Sequence, residues 1–354
     1  MPPRLSVLLA RGLSATLLLA APALAESYEL GQGYPIAGPK LIASAYVSLR
    51  ADHLQGENSR FAAQDVSLLL HGDLGPLWHF FSEIELSNAL VYSGDGVKTT
   101  DADLDFERLY LDHNLSTRTA LRLGKFLTPV GRWNLIHADP LVWTVSRPLT
   151  TTVAFARNAS GAQILGSWPW DEASLNFSAY LDASARLDPS EGQEKTFPDL
   201  SLRPNPPNSF REGGGARLAY RNFDDSVEIG LSLARYTLKD LPGSKSLLGA
   251  DLFYSHNNLE LSGESIYRQD DRPEGRTEWG AFLQLALPIG GGFHAIAEHE
   301  RYQAALFPRP LDSTSLGLTW RPRPPLSVKL ERRVSRGEEA LAPSGWLCSF
   351  AILL

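Results

Sequence analysis

The side chains of this sequence best able to do chemistry are charges set at every second position, in place of the triads and ligand clusters of an enzyme. Arg108 and Asp112 stand two residues either side of Tyr110, Arg122 lies between Leu121 and Leu123, and Lys329, Glu331 and Arg333 alternate with Val328 and Leu330. Arg217 and Arg221 are spaced the same way among Ala216, Leu218 and Tyr220. Acids follow the rule at Glu83 and Glu85, Glu228, Asp251, Glu260 and Glu264, and Glu298 and Glu300. On an extended strand alternate side chains share a face, so each set is predicted to line one wet surface. A basic sector facing an acidic one would set a transverse field able to weigh cations against anions. The plainer reading, that the charges only solvate a wide passage, stands beside it.

Catalytic and metal chemistry find little support. The chain contains no G-x-S-x-G or H-E-x-x-H sequence. His294, Glu298 and Glu300 fall on one strand face, but positions i and i+4 of a strand lie about 13 Å apart, too far to chelate one ion. The single cysteine, Cys348, allows neither an intrachain disulfide nor a cysteine-based zinc site. No catalytic residue, metal site or cofactor is therefore assigned, and an outer-membrane hydrolase is the least favoured alternative. A formal charge of −7 gives no support to nucleic-acid binding.

The elements that must carry these charges read as strands. Val227, Ile229, Leu231 and Leu233 alternate with Glu228, Gly230, Ser232 and Ala234, and Leu175, Phe177, Ala179 and Leu181 alternate with Ser174, Asn176, Ser178 and Tyr180. No long window shows helical periodicity, and hydrophobic content of 43% with a mean hydropathy of −0.16 suits a sheet that meets lipid with every second residue. Arg4 and Arg11 precede the apolar stretch Leu13 to Ala21 and the small-x-small site Ala23-Leu24-Ala25, the pattern of a cleaved signal peptide over 1–25. Residues 26–40 are predicted as a periplasmic segment, and 41–354 as an all-β transmembrane antiparallel barrel of about sixteen strands. A large soluble β-sandwich or propeller would also alternate, but the signal peptide and the turn pattern count against it. Trp78, Trp168, Trp170, Trp279, Trp320 and Trp346 fit interfacial girdles.

Short turns alternate with long connections, which puts short turns and both termini on the periplasmic side. Of the long connections, 127–160 carries Arg132, His137, Asp139, Arg147 and Arg157 among Trp133, Trp143 and Phe155. It is too apolar for a solvated tail, and a loop of this length is usually functional. It is predicted to fold inward and narrow the lumen; packing over the barrel mouth is the other course open to it. The proline-rich connection 183–212 reads as an exposed extracellular loop.

Leu109-Tyr110-Leu111-Asp112, then Leu121-Arg122-Leu123-Gly124-Lys125-Phe126, then Pro129-Val130-Gly131, resembles the strand–turn–strand and loop start of the phosphate-selective porin O and P family. The resemblance implies a sixteen-stranded channel, often a homotrimer, that passes small anions. Two departures are plain: the loop has arginines but no lysine cluster, and the chain ends Phe350-Ala351-Ile352-Leu353-Leu354 where such barrels tend to end in Phe or Trp.

The sequence thus predicts an outer-membrane porin for passive diffusion of small hydrophilic solutes or ions, surrounded by outer-membrane lipid and lipopolysaccharide and needing no cofactor. The predicted pore-lining and constriction residues are Arg108, Arg122, Arg132, Arg147, Arg157, Glu83, Glu85, Glu298, Lys329 and Arg333. A plugged or sheath-type barrel holding a periplasmic partner is the alternative.

Overall fold

The computed structural model describes residues 30–36, 40–94, 96–99, 102–136, 138–187, 210–238, 243–272, 275, 277–305 and 307–354. The predicted signal peptide, residues 26–29 and 37–39 of the predicted periplasmic segment, His137 and most of 183–212 lie outside them. The chain forms a closed antiparallel barrel of sixteen strands. In order these are β1 (Leu41–Leu54), β2 (Arg60–Asp73), β3 (Trp78–Ser93), β4 (Asp103–Asn114), β5 (Thr119–Leu127), β6 (Asn158–Trp170), β7 (Ala173–Asp182) and β8 (Phe210–Asn222). The second half comprises β9 (Val227–Leu238), β10 (Ser244–His256), β11 (Leu259–Asp270), β12 (Thr277–Gly290), β13 (Phe293–Gln303), β14 (Leu311–Arg323), β15 (Leu326–Gly337) and β16 (Gly345–Leu353). Two short pairings decorate it, Tyr34–Pro35 against β1 and Gly96–Lys98 against β3.

Each strand pairs with its sequence neighbours, and β16 returns to β1 from Gly345 opposite Leu54 to Leu353 opposite Tyr46. Leu354 and Ala45 extend that seam by exchanging backbone bonds of 2.6 and 3.3 Å. A closed ladder leaves no edge, so each strand amide facing hydrocarbon has a partner.

The short connections at one end of the barrel run over 74–77, 115–118, 171–172, 223–226, 257–258, 291–292 and 324–325, within a few residues of the turns read from sequence. Asn257 and Asn258 both take positive φ, 50° and 63°, as a two-residue type I′ hairpin requires. The strands run further toward this end than the prolines suggested, continuing through Pro169, Pro288 and Pro322.

Alternation sorts the two faces. On β9, Ile229, Leu231 and Leu233 are 55–63% exposed, whereas Glu228 and Ser232 are 4% exposed. The exposed residues form the outer apolar band, and the covered ones face inward. Five of the six girdle tryptophans are exposed, and Trp279 is half-buried. The interior is not polar throughout, however. At the long-connection end, Phe126, Tyr180, Phe210, Tyr236, Leu247, Ile266, Tyr302 and Leu311 close on Val130, Leu149, Phe155 and Leu341 as one buried apolar cluster. Strand alternation set Tyr180 on the same face as Ser174, Asn176 and Ser178, a side expected to be wet; the connections packed against it make that end of the interior dry instead.

If Leu231 faces hydrocarbon midway along β9, Leu231→Arg should destabilise the barrel by about 2–4 kcal/mol. Urea titration of the refolded chain in lipid vesicles, read by heat-modifiable gel mobility, is the check.

Candidate functional site

The connection 128–157 between β5 and β6 organises the interior. Asn134 ties its neck, donating from Nδ2 to the carbonyls of Thr128 at 2.8 Å and Arg157 at 3.0 Å. The Thr128 amide closes the same neck by donating to the Arg157 carbonyl at 2.7 Å. Beyond it, an irregular chain carries backbone amides that no ladder satisfies, and each one left unpaired in a dry site costs about 1–3 kcal/mol.

Three carboxylates of the wall accept these amides in adjacent pairs. Glu264 of β11 accepts from Arg132 at 2.8 Å and Trp133 at 2.5 Å. Glu331 of β15 accepts from the amides of Val145 and Ser146 at 2.8 and 2.9 Å and from the Ser146 hydroxyl. Glu300 of β13 accepts from the amides of Leu149 and Thr150 at 3.0 and 2.7 Å and from the Thr150 hydroxyl at 2.7 Å. Wall donors serve the carbonyls of the same segment. Lys329 reaches Asp139 at 2.6 Å and Thr144 at 3.3 Å, Arg321 reaches Val142 at 2.8 Å, and Arg268 reaches Ala154 at 2.9 Å. The Tyr236 hydroxyl also donates to Ala154. All of these hydrogen-bonding anchors stand on β9 to β15, while Val145 of the segment also packs with Leu54 of β1 and Leu347 of β16.

The wall of β3 to β5 has a different surface. Phe81 and Tyr110, opposite each other in register, stack with centroids 5.2 Å apart and planes 8° from parallel. The Arg108 guanidinium lies 4.4 Å over Phe81, and that of Arg122 lies 3.7 Å over Tyr110. Arg108 Nε donates to Glu83 at 2.6 Å, and Arg122 grips Asp112 through Nε and Nη2 at 2.8 and 2.9 Å. Two guanidiniums therefore converge on one aromatic pair, each side chain 19% exposed. Both Nη atoms of Arg108 and Nη1 of Arg122 have no protein acceptor among the described residues, so they can donate to a solute.

The other residues singled out from sequence are dispersed. Glu85 accepts from the Tyr46, Ser67 and Ser87 hydroxyls at 2.6, 3.1 and 3.0 Å. Arg132 stacks 3.8 Å over Phe253 and lies 3.8 Å from Glu228, on the wall away from Arg108. Burial draws its guanidinium below the ordinary value, and Glu228 and Glu260 pull the other way. Arg147 sits 5.8 Å over Trp133 and interacts electrostatically with Asp65. Arg157 donates to Glu107 at 3.1 Å. Glu298 accepts from Gln284 at 2.5 Å, Arg333 donates to the Pro343 carbonyl at 3.0 Å, and Lys329 is 1% exposed beneath the segment it anchors. The structure brings Arg108, Arg122 and Glu83 together; it does not bring the loop arginines to them as one ladder.

Nor do basic and acidic sectors face each other. Arg217 of β8 pairs with Glu228 of β9 at 2.8 Å and Asp251 of β10 at 2.5 Å, and Arg268 of β11 pairs with Glu278 of β12 at 2.5 Å. Facing positions of neighbouring strands lie about 5 Å apart, and Coulomb attraction at that range exceeds anything acting across the lumen. Sequence phasing put Glu264, Glu300 and Glu331 on the inner face without identifying them as anchors. An excess of inward carboxylates opposite one long apolar connection was the available signal.

No family model matches the chain. An uncharacterized protein of Aquifex aeolicus (strain VF5) is 42% identical over 69 residues, spanning 20% of this chain and 15% of that protein. Solved structures cover far more. OmpT with loop L8 deleted, an outer membrane protein of Vibrio cholerae, aligns with a TM-score of 0.59 at 9% identity over 89% of this chain and 99% of its own. The anion-selective porin from Comamonas acidovorans gives 0.58 at 15% identity over 88% and 98%, and the outer membrane channel DcaP of Acinetobacter baumannii 0.56 at 10% over 91% and 99%. The chain has the fold of a bacterial outer-membrane β-barrel of the porin type.

Glu300→Ala should free the amides of Leu149 and Thr150. Hydrogen exchange at those two positions is expected to accelerate about 10-fold or more, with protection in β1 to β5 unchanged.

Proposed function

We propose that this chain is a passive diffusion channel of the bacterial outer membrane, in which small hydrophilic solutes pass between the connection 128–157 and the wall of β3 to β5. Small anions, phosphate among them, are the favoured solutes. The observation that carries this reading is the convergence of Arg108 and Arg122 on the Phe81–Tyr110 stack. Guanidiniums with donors to spare, partly desolvated, suit oxyanions. The aromatic backing and the ion pairs with Glu83 and Asp112 hold both in place, so little side-chain entropy is lost when a solute binds.

Arg147 is the loop residue proposed to face this wall across the passage, and the connection that bears it is the proposed constriction. The fold shared with a porin described as anion-selective and the resemblance to the phosphate-selective porin O and P family both support this assignment. A homotrimer is the proposed assembly; a solved Vibrio cholerae OmpT of the same fold, with a TM-score of 0.54, is described as a trimer form. A second reading draws on the buried apolar cluster around Val130, Leu149 and Phe155: a barrel so filled would serve as a plugged sheath for a periplasmic partner.

Single-channel recording of the refolded chain in a planar bilayer separates the two. A channel gives stepwise ohmic openings whose current falls when phosphate is added, whereas a folded but silent barrel would favour the sheath. In a KCl gradient, Arg108→Glu with Arg122→Glu should move the reversal potential toward cations. Arg132→Gln, altering a guanidinium of the connection that lies against Phe253 and Glu228, should move it far less.

A further inference from the structure

We propose that the outer surface of β13 to β15, at the long-connection end, is a binding site for the phosphate-bearing headgroup of an outer-leaflet glycolipid. In register across these strands, Arg301 stands beside Asp312 and Asp312 beside Arg336. Two residues below lie His299 and Thr314, joined at 2.9 Å, and two residues below those Leu316 stands beside Arg332, itself beside Trp346. All are outward positions. Arg301 is 55% exposed, and its ion pair with Asp312, 3.7 Å long, leaves most of its donors open. Arg336 is exposed as well.

Three arginines and a histidine thus share one patch with a single carboxylate. Aromatic rings frame it: Arg301 lies 6.0 Å from the Trp279 ring and Arg332 5.5 Å from that of Trp346. Tryptophan marks the headgroup level of a membrane, which fixes the height of these guanidiniums. Below them the same strands present the uncharged outward positions Ala295, Leu318, Trp320, Val328 and Leu330. Guanidiniums over an apolar wall match phosphates over acyl chains, and arginine forks bind phosphate oxygens in pairs. The short turns place the other end of the barrel in the periplasm, so the patch meets the outer leaflet. The proposal rests on that orientation and not on conduction, which is measured separately.

The test is native mass spectrometry of the refolded full chain in detergent, with bisphosphorylated lipid A or lipid A stripped of both phosphates. Wild type should retain the bisphosphorylated form and release the stripped one. Arg301→Ser, Arg332→Ser and Arg336→Ser combined should weaken retention by roughly 100-fold. The corresponding triple lysine variant, which keeps the charge and controls for folding, should hold most of it. Equal binding of both lipids, or undiminished binding by the folded serine variant, would overturn the proposal. So would a serine variant that loses its oligomer while still binding lipid, since the patch would then be a contact between copies of this chain.

Discussion

Every backbone amide between Leu41 and Leu353 that meets hydrocarbon needs a partner inside the protein, and the seam of β16 against β1 is where that condition closes on itself. Without the seam two strands would expose unpaired edges to lipid. With it, alternation acquires a fixed meaning, since each odd or even residue of a strand is committed to lipid or to the interior. The exposed leucines of β9 and the covered Glu228 between them are consequences of the same closure.

Inside the barrel the same problem recurs without a ladder to solve it. The connection 128–157 leaves β5 as irregular backbone, and its amides would be stranded in the apolar cluster at the long-connection end. Glu264, Glu300 and Glu331 each take two consecutive amides, which a carboxylate with two oxygens can do and a neutral side chain cannot do as well. Lys329, Arg321 and Arg268 serve the carbonyls. Charges that looked from sequence like pore lining are, on this side, the means of fixing a segment in place.

That division explains why the two walls differ. On β9 to β15 the inward charges are taken up by the segment, by one another or by neighbouring polar groups of the barrel. On β3 to β5 the stacked pair of Phe81 and Tyr110 supports Arg108 and Arg122 from behind, and their outer nitrogens are left for something else. Lateral pairing with Glu83 and Asp112 keeps the guanidiniums oriented without neutralising every donor.

Much of the fold was legible because its information is local. Period-two alternation in Val227–Leu238 assigns each side chain to a face from nearest neighbours alone, and Asn257-Asn258 or Gly291-Gly292 mark tight turns by their backbone freedom. The inward direction of Glu264, Glu300, Glu331, Arg108 and Arg122 followed from the same rule. What each of those groups does was decided only by tertiary structure. Arg132 and Glu264 are 132 positions apart, and Val145 and Glu331 are 186 apart. Which carboxylate meets which amide depends on strand register, on barrel curvature and on the path of one irregular segment. Side-chain face is a property of the strand and can be read along it; partnership is a property of the closed barrel, where residues remote in sequence become neighbours only once the last strand has met the first.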